Sequence, residues 1–368
     1  MGIFMKEERA CAVICEYNPF HFGHLHQLRE LRRTFDTVVC LLGSELTQRG
    51  EVAIADRYAR ADVALWNGAD LVLELPLPWC CSSAKEFAFG GVSLAKAIGV
   101  DALAFSAESD GDTLRAAAKK RGEAEEAIRA RIREEGTLSY PAAAEEVLGR
   151  TLRERPNDIL AIEYLRAAGE VDLPCHILHR EGSFASSTAI RREGVPAGAL
   201  PEGVAESLRR DPSFPRKTED MGKFLLASLR NRPPKGCYGV TEELYARMTD
   251  VASEAEDFSS FVKTCTGKMF TSARVRRAAW SLAFAFPADL PGSPVPYGLL
   301  LGSNARGRAF LRRTAKTRTV PVVSRPAEMQ GDPVYRLNAR FQEVFRLYYG
   351  GEPAHKRRPV LIEDGKRS

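Results

Sequence analysis

The stretch from Val13 to Gln27, VICEYNPFHFGHLHQ, restricts the fold of this chain more than any other. It begins in an apolar run, Ala12, Val13, Ile14 and Cys15, that reads as a buried strand of a parallel sheet. Asn18 and Pro19 break the strand, and His21, Phe22, Gly23 and His24 lead into a segment with apolar side chains at 25, 28 and 31, a helical stripe. The motif therefore falls at a strand-to-helix junction. There a parallel α/β sheet offers an anion the free N–H groups and the positive dipole end of a helix. His21 and His24, one turn apart at that entry, can both reach the phosphates of a nucleoside triphosphate and stabilise charge on departing pyrophosphate. Gly23 leaves the backbone bare for a close approach.

A plainer reading takes His21, His24 and His26 as an exposed or metal-binding cluster. A zinc site needs more Cys or His ligands nearby, and Cys11 and Cys15 belong to the strand instead, so no metal ligand set is expected.

Downstream, strands and helices alternate. Residues 37–42, TVVCLL, make a second buried strand, followed by the polar loop GSELTQRGE at 43–51, where Gln48 and Arg49 become site candidates. A helix over 55–67 stops at Asn67-Gly68, a third strand covers 71–75, a helix over 82–98 closes on Gly99, and a fourth strand covers 102–105. This alternation predicts a doubly wound parallel sheet. Ser106 to Ser109 leave the fourth strand, where small residues admit a ribose or adenine. Residues 110–154 read as a charged helical insertion without chemistry. Pro156, Asn157 and Asp158 then start a helix, and the strand 175–179 ends in Arg180.

The next segment, SFASSTAIRR at 183–192, is a Ser/Thr-rich entry to a helix that carries basic residues. Ser186, Ser187, Thr188 and Arg191 are placed to hold a triphosphate opposite the histidines, although the same pattern by itself is an ordinary N-cap.

Past residue 195 the character changes. Residues 196–290 read as mainly helical with proline interruptions, 291–350 as a small basic α/β unit, and 351–368 as a mobile basic tail. Residues 201–368 carry 29 Lys and Arg against 18 Asp and Glu; whole-chain totals of 53 and 48 leave 24 and 30 for the first 200. Positive charge concentrated in the second half suits an acidic polymer such as RNA, while solvated helix faces are the plainer alternative. In SARVRRAAWSLAF, 272–284, Arg274, Arg277 and Trp280 share a helix side that could track RNA, with Trp280 equally suited to the core. Arg312 and Arg313 are further phosphate candidates. With 44% hydrophobic and 27% charged residues, no apolar run long enough for a membrane span and no signal-peptide centre, a cytoplasmic protein is expected. Eight cysteines without a CxxC pair are expected as reduced thiols.

Taken together, ICEYNPFHFGHLHQL, LTQRGEVA, DLVLELP, SYPAAA, RPNDILAIEYLRA, SFASSTAIR and LLLGSNARGRAFLR resemble one family over nearly the whole chain. The first segment resembles the HxGH signature of the nucleotidyltransferase superfamily, and the set resembles the bacterial tRNA(Met) cytidine acetate ligases. The resemblance implies a Rossmann-like parallel sheet of the HxGH nucleotidyltransferase type at 1–195, then a mainly helical region and a small C-terminal α/β unit. It implies activation of acetate with ATP and Mg²⁺ to acetyladenylate, and acetyl transfer to the wobble cytidine of elongator tRNA(Met). No protein partner is evident. ATP contacts are implied at Ile14, Cys15, Glu16, Tyr17, Asn18, Pro19, Phe20, His21, Phe22, Gly23, His24, Leu25, His26 and Gln27, and at Ser106, Asn157 and Arg180. Two departures stand out: Ser106 replaces a usual glycine, and Glu45 and Leu46 sit where a shorter GxF-type segment is common. A small-molecule adenylyltransferase of the same fold would not need the basic second half; a non-catalytic RNA-binding relic would not need His21, Gly23 and His24.

Overall fold

The computed structural model describes residues 8–136, 138–148, 156–180, 184–196, 198–353, 356–363, 366 and 367. Ser183, parts of the 110–154 insertion and parts of the basic tail lie outside the described residues. The first half runs β1 (Ala10–Cys15), α1 (Phe22–Arg32), β2 (Thr37–Gly43), α2 (Arg57–Trp66), β3 (Leu71–Leu75), α3 (Ala84–Ile98) and β4 (Ala102–Ala107). The insertion forms α4 (Gly111–Glu123), α5 (Glu125–Glu135) and α6 (Tyr140–Leu148), before α7 (Pro156–Glu170), β5 (Cys175–His179) and α8 (Ser187–Arg192). Helices α9 (Val204–Leu208), α10 (Gly222–Arg230), α11 (Glu242–Glu254), α12 (Phe258–Cys265) and α13 (Ser272–Phe284) follow. The chain continues through β6 (Gly298–Ser303), α14 (Ala305–Arg313), β7 (Val322–Val323), α15 (Pro333–Tyr349), β8 (Val360–Glu363) and β9 (Lys366–Arg367).

The sheet order is β5-β4-β1-β2-β3-β6-β8-β9, with β7 also on β6. Strands β1 to β5 are parallel. All seven residues of β2 and all five of β3 are buried, which is why they read as unbroken apolar runs rather than alternating ones. After β3 the chain crosses to the far side of β1 to lay down β4. The gap between β1 and β4 is therefore the point where the winding reverses, and its carboxyl edge is where such sheets form a crevice.

Three expectations change. Strand β4 extends through Ala107, so Ser106 lies inside the strand. Residues 297–323 do not build a sheet of their own: β6 lies antiparallel against β3 and joins the main sheet, because its apolar run buries both faces there. The tail also returns to the fold, with Val360 and Leu361 paired to Gly302 and Ser303, and the Arg357 guanidinium 3.1 Å from Asp56 Oδ2. One core runs through both halves of the chain, while the insertion keeps a small separate cluster of Ile128, Ala143, Ala144 and Leu148. Trp280 is fully buried against Phe284 and Phe341, the core reading of that residue. Among the described residues no helix is long and apolar enough to cross a membrane.

Candidate active site

The two histidines are built into the start of α1. His21 is its N-cap, in extended backbone, and its Nδ1 accepts the Gly23 N–H at 3.1 Å. His24 Nδ1 accepts the His21 N–H at 3.3 Å. The rings stack with centroids 3.8 Å apart. A Cβ on residue 23 would come within 2.9 Å of His21 Cε1, so Gly23 is needed first for the ring beside it. Burial pushes the His21 pKa down to about 4 and that of His24 well below 6.5, with the Arg180 charge adding to both and His21 adding to His24. Both rings are thus neutral near pH 7. Since each Nδ1 accepts a backbone N–H, each ring carries its proton on Nε2, leaving two Nε2–H donors at a helix N-terminus.

The rest of the motif is mostly wall. Tyr17, Asn18, Pro19 and Phe20 are buried, so what they can offer a ligand is backbone. Tyr17 has a φ of 46°, its hydroxyl lies 3.3 Å from Cys40 Sγ, and its ring packs edge-on against Phe20 and His24. Asn18 Oδ1 accepts the Ile54 N–H at 2.7 Å. The Cys15 thiol faces Leu41 O at 3.7 Å, and burial holds its pKa well above the usual thiol value. Ile14 lies over α3, where it touches Gly91. Phe22 is exposed, Leu25 is half-buried, and His26 packs against Phe184. Gln27 Nε2 donates to Ser106 Oγ at 3.0 Å, so the serine in the usual glycine position is occupied in joining α1 to β4.

On the β4 side, Asn157 Nδ2 donates to Glu108 Oε1, and the Asp158 carboxylate accepts the Glu108 and Ser109 N–H groups at 2.9 and 3.1 Å. Arg180 N–H donates to Ala107 O at 2.8 Å, which sets this residue at the crevice where its charge reaches both histidines. The second expected phosphate grip behaves differently. Ser186 caps α8, Ser187 Oγ donates to Pro19 O at 3.1 Å, Arg191 donates to Asn18 O and pairs with Glu51 at 2.9 Å, and Thr188 is exposed. Ser187 and Arg191 here brace the motif turn.

Sequence reasoning understated the 44–51 loop at the end of β2. Glu16 Oε1 accepts the Gln48 N–H at 2.6 Å, and buried Arg60 donates to the carbonyls of Glu16, Gly43, Ser44 and Ala55. Burial raises the Glu16 pKa, opposed by the Gln48 bond and the charges of Arg49, Arg60 and Arg191. Glu45, part of the unusual loop sequence, points inward to Arg216 at 2.9 Å and Arg57 at 3.7 Å. An Arg in an amphipathic helix gave no signal of such a clamp; only the fold turns Arg60 onto the strand ends.

The basic candidates separate. On α13, Arg277 Nη1 donates to Gln48 O at 3.1 Å, and burial lowers its pKa; it steadies the loop instead of facing solvent. Arg274, on the same helix, stacks 5.1 Å over Phe270, which precedes it. Arg312 and Arg313 end α14, where Arg313 pairs with Glu8 ahead of β1 and Thr314 abuts Gly99. That is the amino edge of the sheet, opposite the histidines.

Fold and histidine pair define a nucleotidyl transferase of the HIGH type, here spelled His21-Phe22-Gly23-His24, and the HIGH Nucleotidyl Transferase family model matches residues 8–358. The tRNA(Met) cytidine acetate ligase of Syntrophotalea carbinolica is 36% identical, covering 86% of this chain and 84% of its own length. That of Limosilactobacillus reuteri is 30% identical over 96% of this chain and all of its own length. The crystal structure of Thermotoga maritima TmcAL bound with alpha-thio ATP matches with a TM-score of 0.86 and 28% identity, covering 96% of this chain and 99% of that one. The chain belongs to the HIGH nucleotidyl transferase family and, within it, to the tRNA(Met) cytidine acetate ligases.

Proposed function

We propose that this protein is an ATP-dependent ligase that activates acetate as acetyladenylate and transfers the acetyl group to the wobble cytidine of elongator tRNA(Met), giving N(4)-acetylcytidine. The observation that carries this reading is the pair of neutral histidines at a helix start beside the crevice between β1 and β4, each with its Nδ1 taken by a backbone N–H and its Nε2–H left as the donor. An acetate oxygen attacks the α-phosphorus of ATP, and the bond from that phosphorus to the bridging oxygen of pyrophosphate breaks. The Nε2–H groups of His21 and His24 donate to phosphate oxygens whose charge grows in that step, and Arg180 adds a fixed positive charge beside them. The cytidine N4 amine then attacks the acetyl carbon, AMP leaves with the bonding pair, and the amine loses a proton. No enzyme nucleophile is needed, so the buried cysteines take no part.

Among the described residues no group of three or more His, Cys, Asp and Glu side chains is arranged to hold a metal ion. Mg²⁺ is assigned to the phosphates of ATP, whose charge it neutralises when bound. Ser106 and Asn157 flank the nucleoside, and the α1 entry holds the phosphates, with Ser187 and Thr188 at their margin. Residues 1–195 supply the chemistry and 196–290 the nearest RNA surface, with Arg274 the leading phosphate contact, Arg277 supporting the loop beside it, and Arg312 and Arg313 outlying contacts in the 291–350 unit. The cytoplasm, where acetate, ATP and tRNA meet, is the assigned compartment.

The test is ATP–pyrophosphate exchange with and without acetate, followed by acetyl transfer to tRNA(Met). Exchange that depends on acetate and persists without tRNA supports the reading. Exchange driven instead by a phosphorylated small molecule, with acetate inert, would replace it with a small-molecule adenylyltransferase.

A further inference from the structure

The 44–51 loop is held from every side except one. Gln48 alone is fixed three times: its N–H on Glu16 Oε1 at 2.6 Å, its Nε2 on Ser82 O at 3.0 Å, and its carbonyl under Arg277 Nη1 at 3.1 Å. Trp280 Nε1 donates to Gly50 O at 3.0 Å, and Arg60 grips the carbonyls of Gly43 and Ser44. Gly50 has a φ of 73° and packs so closely on α13 that a Cβ would lie 2.8 Å from Arg277 N. Glu51 is tied to Arg191 and Arg276 at 2.9 and 3.7 Å.

Between these anchors stands Arg49, the one exposed residue of the loop. Its guanidinium has no hydrogen-bond or ion-pair partner among the described residues, although its charge is felt at Glu16 in the motif itself. A loop fastened on both sides of a single free cation is the arrangement that holds a binding group ready in advance, with little ordering left to do when the ligand arrives.

Resting on the acetate-activation reading, we infer that Arg49 receives the carboxylate of the acid being activated. The order of strands across the edge selects this anion. The β4 flank carries Arg180 and the nucleoside side of the crevice, β1 carries the histidines, and β2 carries Arg49 on the opposite flank. The phosphates already have the α1 start, two Nε2–H donors and Arg180. The second substrate is itself an anion and must approach a polyanion, which repels it. A guanidinium on the open flank offsets that repulsion and matches a carboxylate with two parallel N–H bonds.

The experiment compares Arg49→Lys, Arg49→Gln and Arg49→Ala with the wild type in acetate-dependent ATP–pyrophosphate exchange, with thermal midpoints as the control for folding. Removing charge-assisted bonds of this kind should raise the KM for acetate about 10- to 100-fold in Arg49→Gln and Arg49→Ala. Arg49→Lys, which keeps the charge but loses the fork, should fall between, and the KM for ATP and the thermal midpoint should stay at wild-type values. A rise in the KM for ATP with that for acetate unchanged would make Arg49 a polyphosphate contact and overturn the inference, as would wild-type constants for both substrates. Absence of acetate-dependent exchange in the wild type would instead remove the reading on which the inference rests.

Discussion

The two edges of the central sheet solve opposite problems. At the amino edge carboxylates close off backbone donors. The buried Asp70 carboxylate accepts the Val38 N–H at 2.8 Å, the Asn304 amide at 2.9 Å and the Arg32 guanidinium. Asp101 accepts the Ala10 N–H at 2.7 Å, and Asp36 that of Arg9 at 2.9 Å. Helix α14 lies along this edge. At the carboxyl edge the carbonyls of Glu16 after β1 and Gly43 in β2 are capped from within by Arg60, yet the Nε2 atoms of His21 and His24 and the Arg49 guanidinium have no hydrogen-bond partner among the described residues. Strand ends need their backbone groups satisfied in either case; the difference is that one edge does so with carboxylates and backbone carbonyls, and the other keeps side-chain donors in reserve.

The largest effect should come from the reserved donors. His21→Ala or His24→Ala should lower acetate-dependent pyrophosphate exchange about 10²- to 10³-fold with the fold retained. An unchanged exchange rate in either variant would end the catalytic role of that ring. Asp70→Ala tests the other edge. Leaving Arg32 and a strand N–H without their acceptor should destabilise the protein by about 3 kcal/mol, read from urea unfolding. ATP affinity of the folded fraction, by calorimetry, should not move; a loss there would show that the edges are not independent.

A smaller effect follows from acid. An unfolded histidine titrates near 6.5, whereas burial puts His21 at about 4 and holds His24 well below 6.5. Between those values the unfolded chain binds more protons than the folded one, so this contribution to stability is complete above about pH 6.5 and is lost as the pH falls towards about 4. Urea midpoints of the ligand-free protein across that range should fall, and more shallowly in His21→Asn; parallel slopes would remove the burial argument.

The smallest effect concerns RNA. Arg274→Glu on α13 should weaken tRNA binding and reduce the salt slope by about 1 unit on a log-log plot, leaving tRNA-independent exchange intact. The double change Arg312→Glu and Arg313→Glu, at the far edge, should do less. If the far pair proves the more damaging in a salt titration, the RNA runs along the amino edge and the comparison is reversed there.

Local pattern alone determined a good deal of this protein. The strand, turn and helix around His21 and His24 are encoded within one short stretch, as are β3 at 71–75, β5 at 175–179 and α13 at 272–284, because an apolar run or a helical stripe needs only its own residues to be read. What only the tertiary structure decided is which groups remain free. Sequence marks Arg191, Arg277, Arg313 and Arg49 alike as cations, yet three are engaged, by Asn18 O and Glu51, by Gln48 O and by Glu8, and Arg49 has no partner among the described residues. The same holds for Arg60, Arg357 and β6, whose partners lie 44, 301 and more than 200 residues away or span separate halves of the chain. A charge is a property of a residue, whereas its availability depends on which carbonyl or carboxylate the folded chain brings beside it, and that pairing is set by long-range packing.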